Sequence, residues 1–325
     1  MSETCKYAGL RGTACPEAAQ GQAGLCFWHD PAAAKSDPGV KSRLAALARS
    51  GRSLEGYVLR GADLRDADLT FGDTNHRVDL SHADLSRADL TGSHLFNVDL
   101  HGASLLKARL NGANLNNANL EDANLLGVEL EGTRLERVRW GRHLRQERLA
   151  RAAHREGRED EAMDLYAEAE QISRHLTAVN ESLGHYTLGG LYYHKEKIMR
   201  RMQMPLYSRE WASSKLVDLL CGYGEDTHRV IGFSLGVVLV SALLYFLLGV
   251  RADGTIVVFH PAADLEQNLH EFLTCIYFSI VTFTTVGFGD VVPLGASRIV
   301  AAVESFIGVF SISLFVVVFV RKMMR

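Results

Sequence analysis

The sequence predicts a multidomain chain of three parts: a four-sided solenoid, an α-helical connector, and an all-α part with two membrane spans. Three observations predict it. Leucines recur at every fifth residue from Leu80 to Leu135. Apolar residues at helical spacing follow over 143–203. Two apolar runs almost without charge occupy 230–250 and 299–320.

The five-residue period extends over 53–140. Trp140 takes the slot after Leu135, and an earlier phase holds Leu54, Leu59, Leu64 and Leu69. One extra residue within TFGDTNHRVDL is expected to shift the register between the two blocks. Two residues before each leucine stands a small or β-branched residue, such as Ala83, Ala88, Ser93 and Val98. A period of five fits neither a helix nor a plain strand. It fits a coil with four sides, one pentapeptide each, with the leucine and the small residue stacked inward. No coil buries its own face, so coils must stack. The segment resembles the pentapeptide-repeat family. That resemblance implies a right-handed quadrilateral β-helix over 50–140, of about four coils. It also implies a scaffold or partner surface, so a cytosolic partner or ligand of unspecified chemistry is expected.

Ahead of the repeats, residues 1–35 hold Cys5, Cys15, Cys26 and His29. Disulfides are not expected in a cytosolic chain. Three thiolates and an imidazole make a tetrahedral zinc set, and a short Gly/Ala-rich segment needs such a staple to fold. A structural zinc is therefore expected there. Cys221 and Cys275 read as small apolar residues. After the repeats, 141–204 reads as a helical hairpin, with Ala162, Leu165, Tyr166, Ala169, Ile172 and Leu176 on one face and a break at Leu183-Gly184. It resembles a tetratricopeptide-like hairpin. Residues 205–228 pair Trp211, Leu216 and Leu219 with Arg209 and Lys215, which predicts a helix at the membrane surface in contact with lipid.

The runs 230–250 and 299–320 are each long enough to cross a hydrocarbon core of about 30 Å as a helix. The first residues lack the apolar stretch of a secretory signal. His228 and Arg229 precede the first span, while Arg321, Lys322 and Arg325 follow the second. The segment between carries Asp253, Asp264, Glu266 and Glu271 against Arg251. The positive-inside rule then puts both termini in the cytoplasm of a multi-pass protein of the plasma (inner) membrane.

Between the spans, the apolar run 269–283 is too short to cross and suits a re-entrant helix. It leads into Thr284-Thr285-Val286-Gly287-Phe288-Gly289-Asp290. This motif in this setting resembles the filter of two-helix potassium channels, and the resemblance covers 230–325. It implies an outer helix at 230–250, a pore helix at 269–283, a filter at 284–290 and an inner helix at 296–320, within a pore domain of 229–325. Backbone carbonyls of Thr285, Val286, Gly287 and Phe288 would replace the water shell of a potassium ion. Alternate residues must be left-handed for those carbonyls to share one axis, which suits Gly287 and Gly289. Val286 and Phe288 are expected to pack against the pore helix. Asp290 belongs at the outer mouth, where its charge concentrates cations. One filter strand per chain requires four chains around an axis, hence a homotetramer.

Three inner-helix features stand out. Gly308 is read as a gating hinge or as a small residue for close packing. Ser311 or Ser313 faces a cavity or bonds its own helix. Glu304, the single ionisable residue within a span, is expected to support the pore helix near Ser279 or Thr282. The near-neutral charge, −3 overall, does not favour a nucleic-acid partner. No nucleotide loop, catalytic triad or hydrolytic metal motif is present, so no enzyme is expected. After Arg325 no C-terminal gating domain is expected, which leaves regulation to residues 1–220. Two alternatives share these features: a non-selective cation channel of the same fold, and a membrane-anchored pentapeptide-repeat interaction protein.

Overall fold

The structure, a computed structural model, describes residues 4–9, 14–20, 23–70, 76–262 and 264–323. It divides into two compact units, Met1–Met204 and Pro205–Arg325.

In the first unit the pentapeptides form a four-sided β-helix. Parallel bridges join Asp79 to Asp99, Asp84 to Ser104, Asp89 to Arg109 and His94 to Asn114, so four pentapeptides make one coil. The leucine ladder from Leu54 to Leu135 is almost wholly buried. A left-handed residue recurs at the corners, and several are not glycine, including Arg87, Asn97 and Lys107 at φ 59°, 58° and 55°. Each costs about 1–2 kcal/mol. One buried leucine per pentapeptide contributes roughly 2 kcal/mol, which offsets the corner. The five-residue phase shifts by one between the two blocks, as expected, but a whole pentapeptide is inserted with it. Val58 pairs with Asp84, whereas Asp84 pairs with Ser104, so the first coil is longer than its successors. The insertion falls around 71–75, outside the described residues.

The Cys/His segment continues this ladder backwards. Val58 N–H donates to the Trp28 carbonyl at 2.8 Å, just as Asp84 N–H donates to Tyr57 and Ser104 N–H to Ala83. Trp28 thus occupies the place of a preceding coil, stacked on Tyr57 with ring centroids 5.3 Å apart. Helix α1 (Gly39–Arg49), which the sequence reading left unassigned, covers the same region with Val40, Leu44, Ala45 and Ala48.

The connector has three helices where a hairpin was predicted: α2 (Arg145–Arg155), α3 (Glu159–Ser182) and α4 (Tyr186–Met202). Helix α2 escapes a periodicity reading because its buried face is Gln146, Glu147, Ala150 and Ala153. Ile172, Leu176, Val179 and Tyr192 join the core of the solenoid, with Trp140 edge-on to Tyr192, so α3 and α4 close its C-terminal end.

The second unit opens with α5 (Arg209–Cys221). The Ser208 hydroxyl accepts the Trp211 N–H at its start, and left-handed Gly222 (φ 53°) ends it. Helices α6 (Thr227–Leu248) and α8 (Ser297–Met323) are long and apolar enough to cross a membrane. Their expected bounds, 230–250 and 296–320, shift because Asp226 caps α6 and Val250 enters a strand. That strand, β1 (Val250–Ala252), lies between β2 (Thr255–Val257) and β3 (Val291–Pro293) in an antiparallel sheet. Strands of three residues carry no periodic signal, and none was predicted. Helix α7 (Leu265–Phe283) starts four residues before the expected 269, since Asp264 accepts the Gln267 N–H and allows a polar first turn. Helices α6, α7 and the small sheet share a core of Ala242, Tyr245, Phe246, Val250, Cys275 and Phe278. At the other end, Arg321 of α8 pairs with Glu225 (3.1 Å), and Arg229 of α6 pairs with Asp218 (2.8 Å).

Candidate functional site

The filter segment grows out of the end of α7. Val286 N–H donates to the Val281 carbonyl (3.1 Å) and Thr285 N–H to the Thr282 carbonyl (3.0 Å). These two bonds make a Schellman cap, whose left-handed position usually belongs to glycine. Here it is Thr285, at φ 57°. Positive φ returns at Gly287 (62°) and Gly289 (81°), so alternate residues from Thr285 to Gly289 are left-handed. This is the alternation that turns successive carbonyls to one side. The sequence reading assigned it to the two glycines; the helix cap supplies the third left-handed residue.

Residues 284–290 are all exposed in the single subunit. Val286 and Phe288 are 56% and 69% exposed. One subunit offers them no opposing surface. Asp290 is held from α7, with the Tyr277 hydroxyl donating to its Oδ2 at 2.7 Å. A phenol on α7 therefore anchors the end of the segment that carries Phe288. Nothing in the spacing of Tyr277 marked this role. Tyr277→Phe is expected to speed the decline of current under sustained opening by roughly two- to tenfold, the range of one lost hydrogen bond. An unchanged decline in macroscopic recordings would show that the bond does not hold the filter.

Behind α7 lies Glu304, 1% exposed. The Tyr245 hydroxyl donates to its Oε2 at 2.6 Å, its Oε1 lies 2.5 Å from Ser279 Oγ, and Ser241 is a further hydroxyl partner. Ser279 Oγ also reaches the Val238 carbonyl at 2.9 Å. The carboxyl thus joins α6, α7 and α8. Tyr245 and Ser241, two of the three hydroxyls in the span 230–250, are the signal in the sequence for this node. One residue on, Ser305 Oγ donates to the Thr282 carbonyl at 3.3 Å. Gly308 follows, and a Cβ built there would lie 2.0 Å from the Phe283 carbonyl oxygen. Close packing against that carbonyl accounts for this glycine, and α8 is continuous helix through it. Ser313 bonds its own helix at Val309, while Ser311 is buried.

In the first unit Cys5, Cys15, Cys26 and His29 converge, with their ligand atoms within 4.8 Å of one another and all four buried. His29 Nδ1 lies 3.2 Å from Cys26 Sγ and 3.6 Å from Cys5 Sγ. Its Nε2 lies 3.0 Å from the Glu55 carbonyl, an acceptor that fixes the Nε2–H tautomer and leaves the Nδ1 lone pair facing the thiols. Tyr7 stacks on the imidazole at 3.8 Å. Burial lowers the His29 pKa and so favours the neutral ligand form. Burial likewise pushes the Cys15 thiol up to about 12. Burial also raises Cys5, but hydrogen bonds from the Tyr7 and Cys26 backbone outweigh it and hold that thiol below its ordinary value. Three sulfurs and one nitrogen around one point form a soft, four-ligand donor set that fits zinc.

No curated protein matches the chain. Among solved structures it is similar to HetL, a pentapeptide repeat protein involved in heterocyst differentiation regulation from the cyanobacterium Nostoc sp. strain PCC 7120. The identity is 35% over 27% of this chain and 38% of that one, with TM-score 0.24. A pentapeptide repeat protein from the cyanobacterium Cyanothece 51142 is 36% identical over 28% of this chain and 58% of that one, with TM-score 0.25. Another, from Nostoc PCC 7120, is 33% identical over 30% and 74%, with TM-score 0.26. The chain thus spans little more than a third of the first of these relatives and over half of the second. Residues 76–110 and 103–139 match the family described as pentapeptide repeats, and residues 233–325 match the family described as ion channel. The chain therefore carries pentapeptide repeats in its N-terminal region and an ion-channel domain at its C-terminal end.

Proposed function

We propose that this chain is one subunit of a homotetrameric, potassium-selective channel, in which ions move passively and no bond is made or broken. The observation that carries this reading is the left-handed alternation Thr285, Gly287, Gly289 on an exposed segment between two spans. Carbonyls turned to one side make a coordinating wall only when three further copies complete it. Both termini lie in the cytoplasm, with Arg321 and Lys322 at the inner face. Helix α5 lies at the lipid surface, where Leu216 and Leu219 are 55% and 61% exposed. The Cys5, Cys15, Cys26 and His29 group holds one structural zinc.

The solenoid and connector touch no permeating ion, so they regulate opening and assembly and do not set selectivity. A bias of a few kcal/mol on a two-state pore is enough for such control. Bi-ionic recording on reconstituted protein tests both parts. The full chain is expected to reverse near the potassium equilibrium potential, and equal sodium and potassium permeability would sink the reading in favour of a non-selective channel. A chain beginning at Met204 is expected to keep that reversal while its open probability changes. A tetramer with both properties unaltered would remove the regulatory role.

A further inference from the structure

We infer that the inner helix α8 clamps the last turns of the pore helix, so that movement of α8 is delivered to the filter instead of being absorbed at Gly308. This rests on the channel reading above. Three contacts carry it, and they fall in order along both helices. Glu304 meets Ser279, Ser305 meets the Thr282 carbonyl, and the Gly308 Cα face meets the Phe283 carbonyl. Thr282 is also the acceptor for the Thr285 N–H in the cap that makes Thr285 left-handed. The chain of contact from α8 to the first filter residue is therefore one side-chain bond, one carbonyl and one cap.

The chemistry of each contact is specific. Gly308 has no room for a methyl group, because the atom in the way is backbone and cannot rotate aside. The helix must move off the Phe283 carbonyl or push it, and that carbonyl is two residues from Thr285. Glu304 offers one oxygen to a hydroxyl donor, Tyr245, and the other to Ser279, whose oxygen also has the Val238 carbonyl within reach. A glutamine can repeat this pattern, with its carbonyl toward Tyr245 and its amide toward Ser279. A leucine of similar bulk cannot, and it removes the carboxyl acceptor from the Tyr245 and Ser241 hydroxyls and leaves Ser279 only the Val238 carbonyl. Glu304, Ser305 and Gly308 are thus positioning residues for the filter. None of them touches an ion.

The hinge and clamp readings make opposite statements about selectivity. A hinge at Gly308 changes how often the pore opens and leaves the filter alone. A clamp changes the filter itself. The test is potassium-to-sodium permeability and single-channel conductance of reconstituted full-length tetramers carrying Gly308→Ala, Ser305→Ala, Glu304→Gln or Glu304→Leu. Gly308→Ala and Glu304→Leu are each expected to lower the permeability ratio or the conductance by about tenfold or more. Ser305→Ala should act in the same direction more weakly, and Glu304→Gln should stay close to wild type. If Gly308→Ala does not assemble, the Glu304 pair decides, because the two variants differ in hydrogen bonding and hardly in size. Wild-type permeability and conductance in Glu304→Leu, or a Gly308→Ala channel altered only in open probability, overturns the clamp. Each variant is read against wild type, so a wild-type channel that proves non-selective defeats the potassium reading while conductance still reports on the clamp.

Discussion

Gly287→Ala is expected to abolish potassium conduction or to reduce potassium-over-sodium selectivity by at least an order of magnitude. Steric conflict within the subunit does not explain this, since a Cβ at Gly287 meets nothing within 4 Å. The backbone decides instead. At φ 62° an L-residue costs about 1–2 kcal/mol, and the filter already holds one such residue at Thr285. There the Schellman cap offsets the strain with two backbone hydrogen bonds from α7. Gly287 lies beyond the reach of that cap, so alanine relaxes toward negative φ and turns one carbonyl out of line. In a tetramer the same carbonyl is lost four times from a single ring of ligands. Reversal potentials under bi-ionic conditions check this, and a variant with wild-type reversal and conductance would refute it. Gly254, also left-handed with open space around it but in the turn between β1 and β2, is a control position expected to leave selectivity unchanged.

What was legible in the sequence follows from how far each structural cause reaches along the chain. The leucine ladder is a local repeat, so its period of five survives in any window and identifies the coils from Leu80 to Leu135. The spans are legible for the same reason, as continuous composition. The filter is legible because its backbone geometry restricts residue type, with Gly287 and Gly289 at left-handed positions. Interactions between segments leave less trace. A lone carboxyl within a span pointed Glu304 at α7 near Ser279, but Tyr277 and Asp290, and Ser305 and Thr282, meet only once the chain has folded, and each of these four alone is ordinary. The left-handed dihedral of Thr285 was hidden because a β-branched residue argues against it, and only the cap explains it. Helix α2 was missed because its buried face is half polar. The choice between hinge and packing at Gly308 turns on one carbonyl from a different helix.

Removing zinc is expected to undo the N-terminal end of the solenoid. Among the described residues of 4–35, Trp28 and the three cysteines are buried with Tyr7, Leu25 and Phe27 packed beside them, and the four clustered ligands occupy the middle of that small core. Structural zinc contributes about 10–16 kcal/mol of apparent binding free energy in small zinc-finger peptides at neutral pH, more than a segment of this size obtains from burial. The cluster is also wired to the first coil, through the Glu55 carbonyl at His29 and the Val58 N–H at Trp28. Loss of the metal thus releases the rung on which the first coil is built. Cys26 is central to the cluster. Its Sγ approaches Cys15 Sγ (3.8 Å) and His29 Nδ1 (3.2 Å), and its N–H donates to Cys5 Sγ (3.2 Å). Metal analysis of the purified protein should find one zinc per subunit, and Cys26→Ser should lose most of it, whereas Cys221→Ser in the other unit should not. Hydrogen exchange should then rise in the amides of Leu54 to Leu69, with the later coils from Leu100 onward still protected. Acid should release the metal as well, because falling pH returns protons to the imidazole and the thiolates that bind it. Zinc below a stoichiometric level in wild type, or full zinc in Cys26→Ser, would rule out this centre. Zinc loss without any change in exchange at the first coil would uphold the metal site but separate it from the stability of the solenoid.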